Sequence, residues 1–245
     1  MQTISNDLAQ LIDDSSQVVT PVVTATFADS KYAYDLRTFS TSEGWEAAIN
    51  RKDPLLWLKC DDATAVRNSG SLDTPMTVGS TLADIAGPIG YNDNGAFDVS
   101  IGTGFNTSHH NELNFTSAKT IGCWVKIDSA PVAGGVIGKF DIANSAVATE
   151  FEYALTFSAD SGGSTTFSFV YSDGVNYSST AIATFTISGS GWKFFVITIT
   201  ERAVICYLNG TLVGGTEIVA PINATTHPLH FAPGFDGKVD EVFIL

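Results

Sequence analysis

Residues 192–215 read WKFFVITITERAVICYLNGTLVGG, and this stretch decides the fold. WKFFVITIT (192–200) is apolar on both of its alternating faces. A strand with one wet face would alternate, so this run predicts a central strand covered on both sides. AVICYL (203–208) follows after Glu201 and Arg202 and is joined to TLVGG by Asn209-Gly210. Asn-Gly is the preferred pair for a type I′ turn, whose two central residues take positive φ, so the spacing predicts a two-residue hairpin. Working outward, the same texture runs from Leu55 to the end of the chain. It predicts strands at 55–60, 95–101, 119–128, 134–140, 150–158, 164–171, 180–188, 192–200, 203–208, 211–219, 228–232 and 238–244. Gly, Asn and Asp punctuate them at roughly 8–12-residue spacing. Many short strands without intervening helices imply an all-β antiparallel sandwich or jelly roll.

Composition narrows the function. The chain has 245 residues, room for one large β domain plus an arm. It carries 12 Lys+Arg against 26 Asp+Glu, a net charge of −14. That balance argues against nucleic acid, whose phosphates require basic patches. Hydrophobic residues make up 44%, which argues against disorder. No stretch approaches the ~18 apolar residues of a membrane span, so no membrane insertion is expected. MQTISNDLAQ at the start has no basic and then apolar signal-peptide pattern, and the expectation is a protein not exported through a cleaved leader. Cys60, Cys123 and Cys206 each lie in an apolar run. Three buried free thiols is the favoured reading, with one disulfide plus one free thiol the alternative.

Several segments, taken in order, resemble laminin-G-like, concanavalin A-like jelly rolls. These are PLLWLKCDD with RNSGSLDTPMTV, GPIGYNDNGAFDV, FTSAKTIGCWVKID, SGWKFFVITI, VICYLNGTLVG and GFDGKVDEVFIL. The resemblance covers about residues 54–245 and implies that fold, which hosts lectins, adhesion modules and glycosidases alike. In many relatives the first strand's acid, the loop after it and the closing-strand Asp help hold a structural calcium. Carried over to this chain, the first acid aligns as Asp61 or Asp62, and the favoured ligands are Asp62, Asn68 and Asp240, although Arg67 stands where the loop's usual Asp would be. Because a cation beside Arg67 is disfavoured, the expectation is no cofactor, with Asp240 hydrogen-bonding backbone or pairing with Lys238.

Glucanases of this fold cut sugars with paired carboxylates on alternate strand positions. Glu150 and Glu152 are the nearest match, since a period of 2 places both on one face, but no third acid follows. Asp240 and Glu241 are adjacent and point to opposite faces. The expectation is a protein that is not an enzyme. Sugar-binding modules instead stack aromatic rings on pyranose faces and hydrogen-bond with Asn, Asp and Ser. Trp57, Trp124 and Trp192 fall on core strands, so the loops offer better candidates. The 171–177 loop supplies Tyr171, Asp173, Asn176 and Tyr177, and the 103–111 loop adds Phe105, Asn106, His109, His110 and Asn111. The competing reading is ordinary hairpin tips, where these residues serve the backbone.

Residues 1–53 are not needed by the jelly roll. Ile4, Leu8, Leu11 and Ile12 have helical spacing, a hairpin is expected to about Phe39, and SEGWEAAIN suggests a helix over 42–51. An arm of this kind before a jelly roll beginning DPLLWL resembles the layout of tail-associated structural proteins of bacteriophages. On that resemblance the chain is a virion protein, assembled in the host cytoplasm and released by lysis. Residues 1–53 then form an attachment arm that docks to other virion proteins or to sister copies, a homotrimer being the expected oligomer. Residues 54–245 display a lectin-like surface to a host glycan. A free carbohydrate-binding or adhesion module is the alternative.

Overall fold

The computed structural model describes residues 49–50, 52–61, 66–78, 83–87, 95–99, 104–127, 134–159, 164–186, 191–232 and 236–245. The helix and hairpin expected within 1–39, most of the 42–51 helix, and Asp62 lie outside them.

Fifteen strands occur among the described residues, and they form two antiparallel sheets. Sheet I contains β1 (Leu56–Leu58), β3 (Ala83–Ala86), β4 (Gly95–Val99), β6 (Lys119–Ile127), β11 (Lys193–Ile199), β12 (Ala203–Leu208), β13 (Thr211–Glu217) and β15 (Gly237–Ile244). Their order is β13-β12-β11-β6-β15-β4-β3, with β1 also paired to β15. Sheet II contains β2 (Met76–Val78), β5 (Phe105–Thr107), β7 (Gly134–Phe140), β8 (Phe151–Ala159), β9 (Ser164–Ser172), β10 (Tyr177–Thr186) and β14 (Leu229–Phe231), in the order β10-β9-β8-β7-β14-β5-β2. The non-sequential order, with the closing strand β15 between β6 and β4, is a jelly-roll arrangement and bears out the expected all-β sandwich.

Alternation along the strands builds the core. Phe195, Ile197 and Ile199 of β11 point between the sheets, where Phe195 meets Phe157 of β8 edge-on at 5.5 Å. Phe97 of β4 meets Phe105 of β5 in the same way at 5.7 Å. Each such ring withdrawn from water stabilises the fold by about 1.5–3 kcal/mol. The opposite face of β11 is covered too, as its doubly apolar sequence predicts. Phe194 joins Trp57, Trp124, Phe243 and Ile49 in a second cluster, with Trp192 and Val196 against it. Ile49 falls inside the expected arm, so packing against sheet I reaches at least that far toward the N-terminus.

The Asn209-Gly210 turn forms as expected, with φ of 47° and 78° and Leu208 paired to Thr211. The Asn209 side-chain oxygen accepts a hydrogen bond from the Phe194 N–H at 2.8 Å, fixing the hairpin to the next strand. Cys60, Cys123 and Cys206 are free and buried. Burial pushes the thiols of Cys123 and Cys206 up to about 12 and that of Cys60 well above its usual range. The disulfide alternative is set aside.

Candidate functional site

The registers of sheet II gather four loops at one end. Leu229 pairs with Thr107 on one side and Lys139 on the other, and Tyr153 pairs with Lys139 and Tyr171. The chain therefore leaves β5, β7 and β9, and enters β8, β10 and β14, at that same edge. The connections 108–118, 141–150, 173–176 and 218–228 emerge together.

A buried ionic network lies under these loops. Lys139 pairs with Tyr153 and Phe140 with Phe151, so the register shift leaves Glu152 as an extra residue. Such a bulge re-aims a side chain, here into the interior. The Glu152 carboxylate meets Lys139 Nζ at 3.0 Å and accepts hydrogen bonds from the N–H groups of Phe115 (2.8 Å) and Thr225 (3.1 Å). Lys139 Nζ also donates to the Thr225 carbonyl at 2.5 Å. Burial pulls the Lys139 amine below its usual range, and Glu152 acts in the opposite direction. Every charge in the network has partners, as a buried charge requires.

Three half-buried side chains sit one step outward, each two residues from a member of the network. They are Asp141, Glu150 and His227. The Asp141 N–H donates to the Glu150 carbonyl at 2.9 Å, which closes the neck of the 141–150 loop. His227 Nε2 lies 2.6 Å from Glu150 Oε2. The Asp141 carboxylate accepts from Asn144 Nδ2 and the Ala143 N–H, and these bonds hold it below the usual carboxylate range. His227 stands in the stretch His227-Pro228-Leu229-His230, which offers it no neighbouring acid. The partners lie 77 and 86 positions away, and no local pattern announces them.

The carboxylate pair that is the nearest match to a glucanase pattern does not form. Glu150 ends a 3-10 turn (Ala148–Glu150) and faces His227, whereas Glu152 is locked to Lys139 in the interior. Glu152 is therefore not half of a solvent-facing acid pair.

The expected binding residues divide. Tyr177 is 40% exposed; its hydroxyl donates to the Ser145 carbonyl at 2.8 Å and its ring rests edge-on against Phe151. Asp173 and Asn176 are exposed at the same tip. The Asp173 carboxylate accepts from the N–H groups of Val175 and Asn176, which makes it a turn former and lowers its pKa. Val175, which sequence reading missed, is 79% exposed, and Ile142 and Val147 are exposed on the adjoining loop. His109 is half-buried and bonded to Asn111 at 3.0 Å, in the loop that follows β5 at this end of the sheet. Tyr171 is a correction. Strand β9 runs to Ser172, so Tyr171 has inward parity; it is 2% exposed, and its hydroxyl accepts from the Val219 N–H. Phe105 is a second correction, being a β5 core residue stacked on Phe231 at 5.0 Å. Neither can meet a sugar.

Of the calcium ligands that the resemblance implies, Asp62 lies outside the described residues and Asn68 is already engaged. The Asn68 carbonyl oxygen already accepts from the N–H groups of Trp57 and Gly70, both at 2.8 Å, and its Nδ2 donates to the Leu72 carbonyl. With both lone pairs engaged, Asn68 braces the loop and has none left for a cation. Asp240 is fully buried and accepts from the Glu241 N–H at 2.7 Å, while Lys238 pairs with Asp98.

A profile of the concanavalin A-like lectin/glucanases superfamily, in its laminin G-like form, matches residues 100–245. The chain belongs to that family. Among solved structures it is similar to the binding domain of Paraclostridial Mosquitocidal Protein 1 (TM-score 0.60, 13% identity, 79% of this chain and 49% of that one). It is also similar to domain 4 of AbnA, an extracellular arabinanase from Geobacillus stearothermophilus, solved with arabinotriose (0.59, 16%, 78% and 91%). A third is botulinum neurotoxin type C, described as entering cells through two ganglioside molecules (0.57, 10%, 81% and 49%). The chain spans about half the length of the toxin domains it matches. At these identities the likeness establishes a lectin-like jelly roll. No curated protein sequence matches the chain.

Proposed function

We propose that this protein is a non-catalytic carbohydrate-binding domain that receives its ligand on the loop end of sheet II, around Tyr177. The observation that carries the reading is an aromatic ring held rigidly at an exposed tip. Phe151 supports the Tyr177 ring from below and Ser145 fixes its hydroxyl, so little side-chain freedom is lost on stacking. Val175, Ile142 and Val147 extend the apolar surface, and Asn176, Asn223 and Glu150 border it with hydrogen-bonding groups. The arabinanase domain solved with arabinotriose and the ganglioside-dependent toxin support a sugar as the ligand class. The locking of Glu152 into its ion pair speaks against glycoside hydrolysis by the pair read from the sequence.

For the setting, we propose a tail-associated component of a bacteriophage particle. Residues 1–53 attach it to other virion proteins, the oligomer is a trimer, and the jelly roll faces a host glycan. The layout of arm and jelly roll supports this, as do three buried reduced thiols, which suit assembly in a reducing cytoplasm. Repetition in the particle would raise weak affinity through multivalency. A glycan array probed with the full chain and with Tyr177→Ala tests the binding reading. Light scattering of the full chain and immunogold labelling of purified particles test the setting.

A further inference from the structure

Among the described residues, one group of three metal-ligating side chains converges, and it shares no residue with the calcium ligands that the family resemblance raised. We propose that Asp141, Glu150 and His227 form a binding site for a borderline divalent transition cation of the zinc class.

The donor set carries the choice of metal. One imidazole nitrogen and two carboxylate oxygens suit zinc and its neighbours, whereas calcium takes six or more oxygens and magnesium keeps mostly water. The three ligand atoms lie within 4.8 Å of one another. Two ligands of one tetrahedral zinc stand about 3.3 Å apart. His227 Nε2 and Glu150 Oε2, now 2.6 Å apart, must therefore spread by about 0.7 Å as the proton between them leaves. Asp141 closes by a rotation that exchanges one hydrogen bond to Asn144 or Ala143 for the metal.

The backbone beneath is fixed independently of any ion. Asp141 follows Lys139 by two residues, Glu150 precedes Glu152 by two, and His227 follows Thr225 by two. Lys139, Glu152 and Thr225 are the buried network itself. The ligands thus project from three points already clamped together, the arrangement a preorganised site needs. All three side chains are half-buried, so the ion is reachable from solvent and a fourth coordination position stays open.

The test uses the full chain, stripped with EDTA and titrated with zinc chloride by calorimetry and with cobalt chloride by visible absorption. The expected result is one ion per chain, a cobalt spectrum of four-coordinate intensity and a rise in melting temperature. His227→Ala and the near-isosteric Glu150→Gln should each weaken zinc binding at least 10-fold while keeping the metal-free melting temperature. A paired His109→Ala, His110→Ala variant should bind as the wild type does. Binding that survives both substitutions at the site, binding that vanishes with His109 and His110, or no stoichiometric binding would each overturn the proposal.

Discussion

The Nζ of Lys139 lies 3.0 Å from Oε2 of Glu152, and both side chains are wholly withdrawn from solvent. A buried pair of this kind rarely adds net stability, but removing one member strands the other's charge. Lys139→Met is therefore expected to lower the free energy of unfolding by about 3–5 kcal/mol. Adding Glu152→Gln to it should cost less than the two single changes summed. Urea denaturation of the four proteins gives the cycle; purely additive losses would show that the pair is not coupled.

Gly122 lies in the middle of β6, where a Cβ would fall within 2.1 Å of Cζ of Phe243. That ring belongs to the outer cluster with Trp57 and Trp124. Gly122→Ala should destabilise by about 1–3 kcal/mol through overpacking. A thermal melt unchanged within error would mean the ring moves freely aside.

Burial pushes the pKa of His230 below its usual value. Its Nε2 faces the Phe140 carbonyl at 3.1 Å, Asp141 acts to raise the pKa, and His227 acts to lower it. Because the folded value is the lower one, the unfolded chain binds the proton first as pH falls. Stability is therefore complete above the ordinary histidine range and declines as pH drops through about 6.5 toward the folded value. His230→Gln, which keeps a donor for Phe140, should flatten the fall in urea midpoint between neutral and mildly acidic pH, measured in EDTA. An unaltered slope would assign the acid sensitivity elsewhere.

The native protein should react with a thiol reagent far more slowly than the unfolded one, which should yield three equivalents. Cys60, Cys123 and Cys206 are buried, and their raised pKa values leave little thiolate at neutral pH. Fast native labelling of any one would contradict its place in the core.

The body of the sandwich was legible because hydrophobic alternation and turn residues are local. WKFFVITIT announced a strand covered on both faces, and Asn209-Gly210 announced its hairpin. Met76–Val78, Ala83–Ala86 and Phe105–Thr107 went unread, since three or four residues are too few to establish a period. The same shortfall misplaced Phe105 in a loop. Tyr171 and Tyr177 flank one turn, and strand β9 running to Ser172 decided that the first is core and the second surface. Glu150 and Glu152 failed as a pair because of a bulge, which alternation alone does not disclose. The Asp141, Glu150 and His227 cluster depends on strand order, so only the folded chain reveals it.

The most direct test of the account is glycan binding by the full chain, screened with zinc and with EDTA. Tyr177→Ala and Val175→Asp are measured beside the wild type on whatever sugar is found. The account predicts a sugar ligand whose affinity falls at least 10-fold in both variants, about 1.4 kcal/mol, with little change in melting temperature. A glycan bound equally well by all three proteins, or no glycan bound at all, would contradict it.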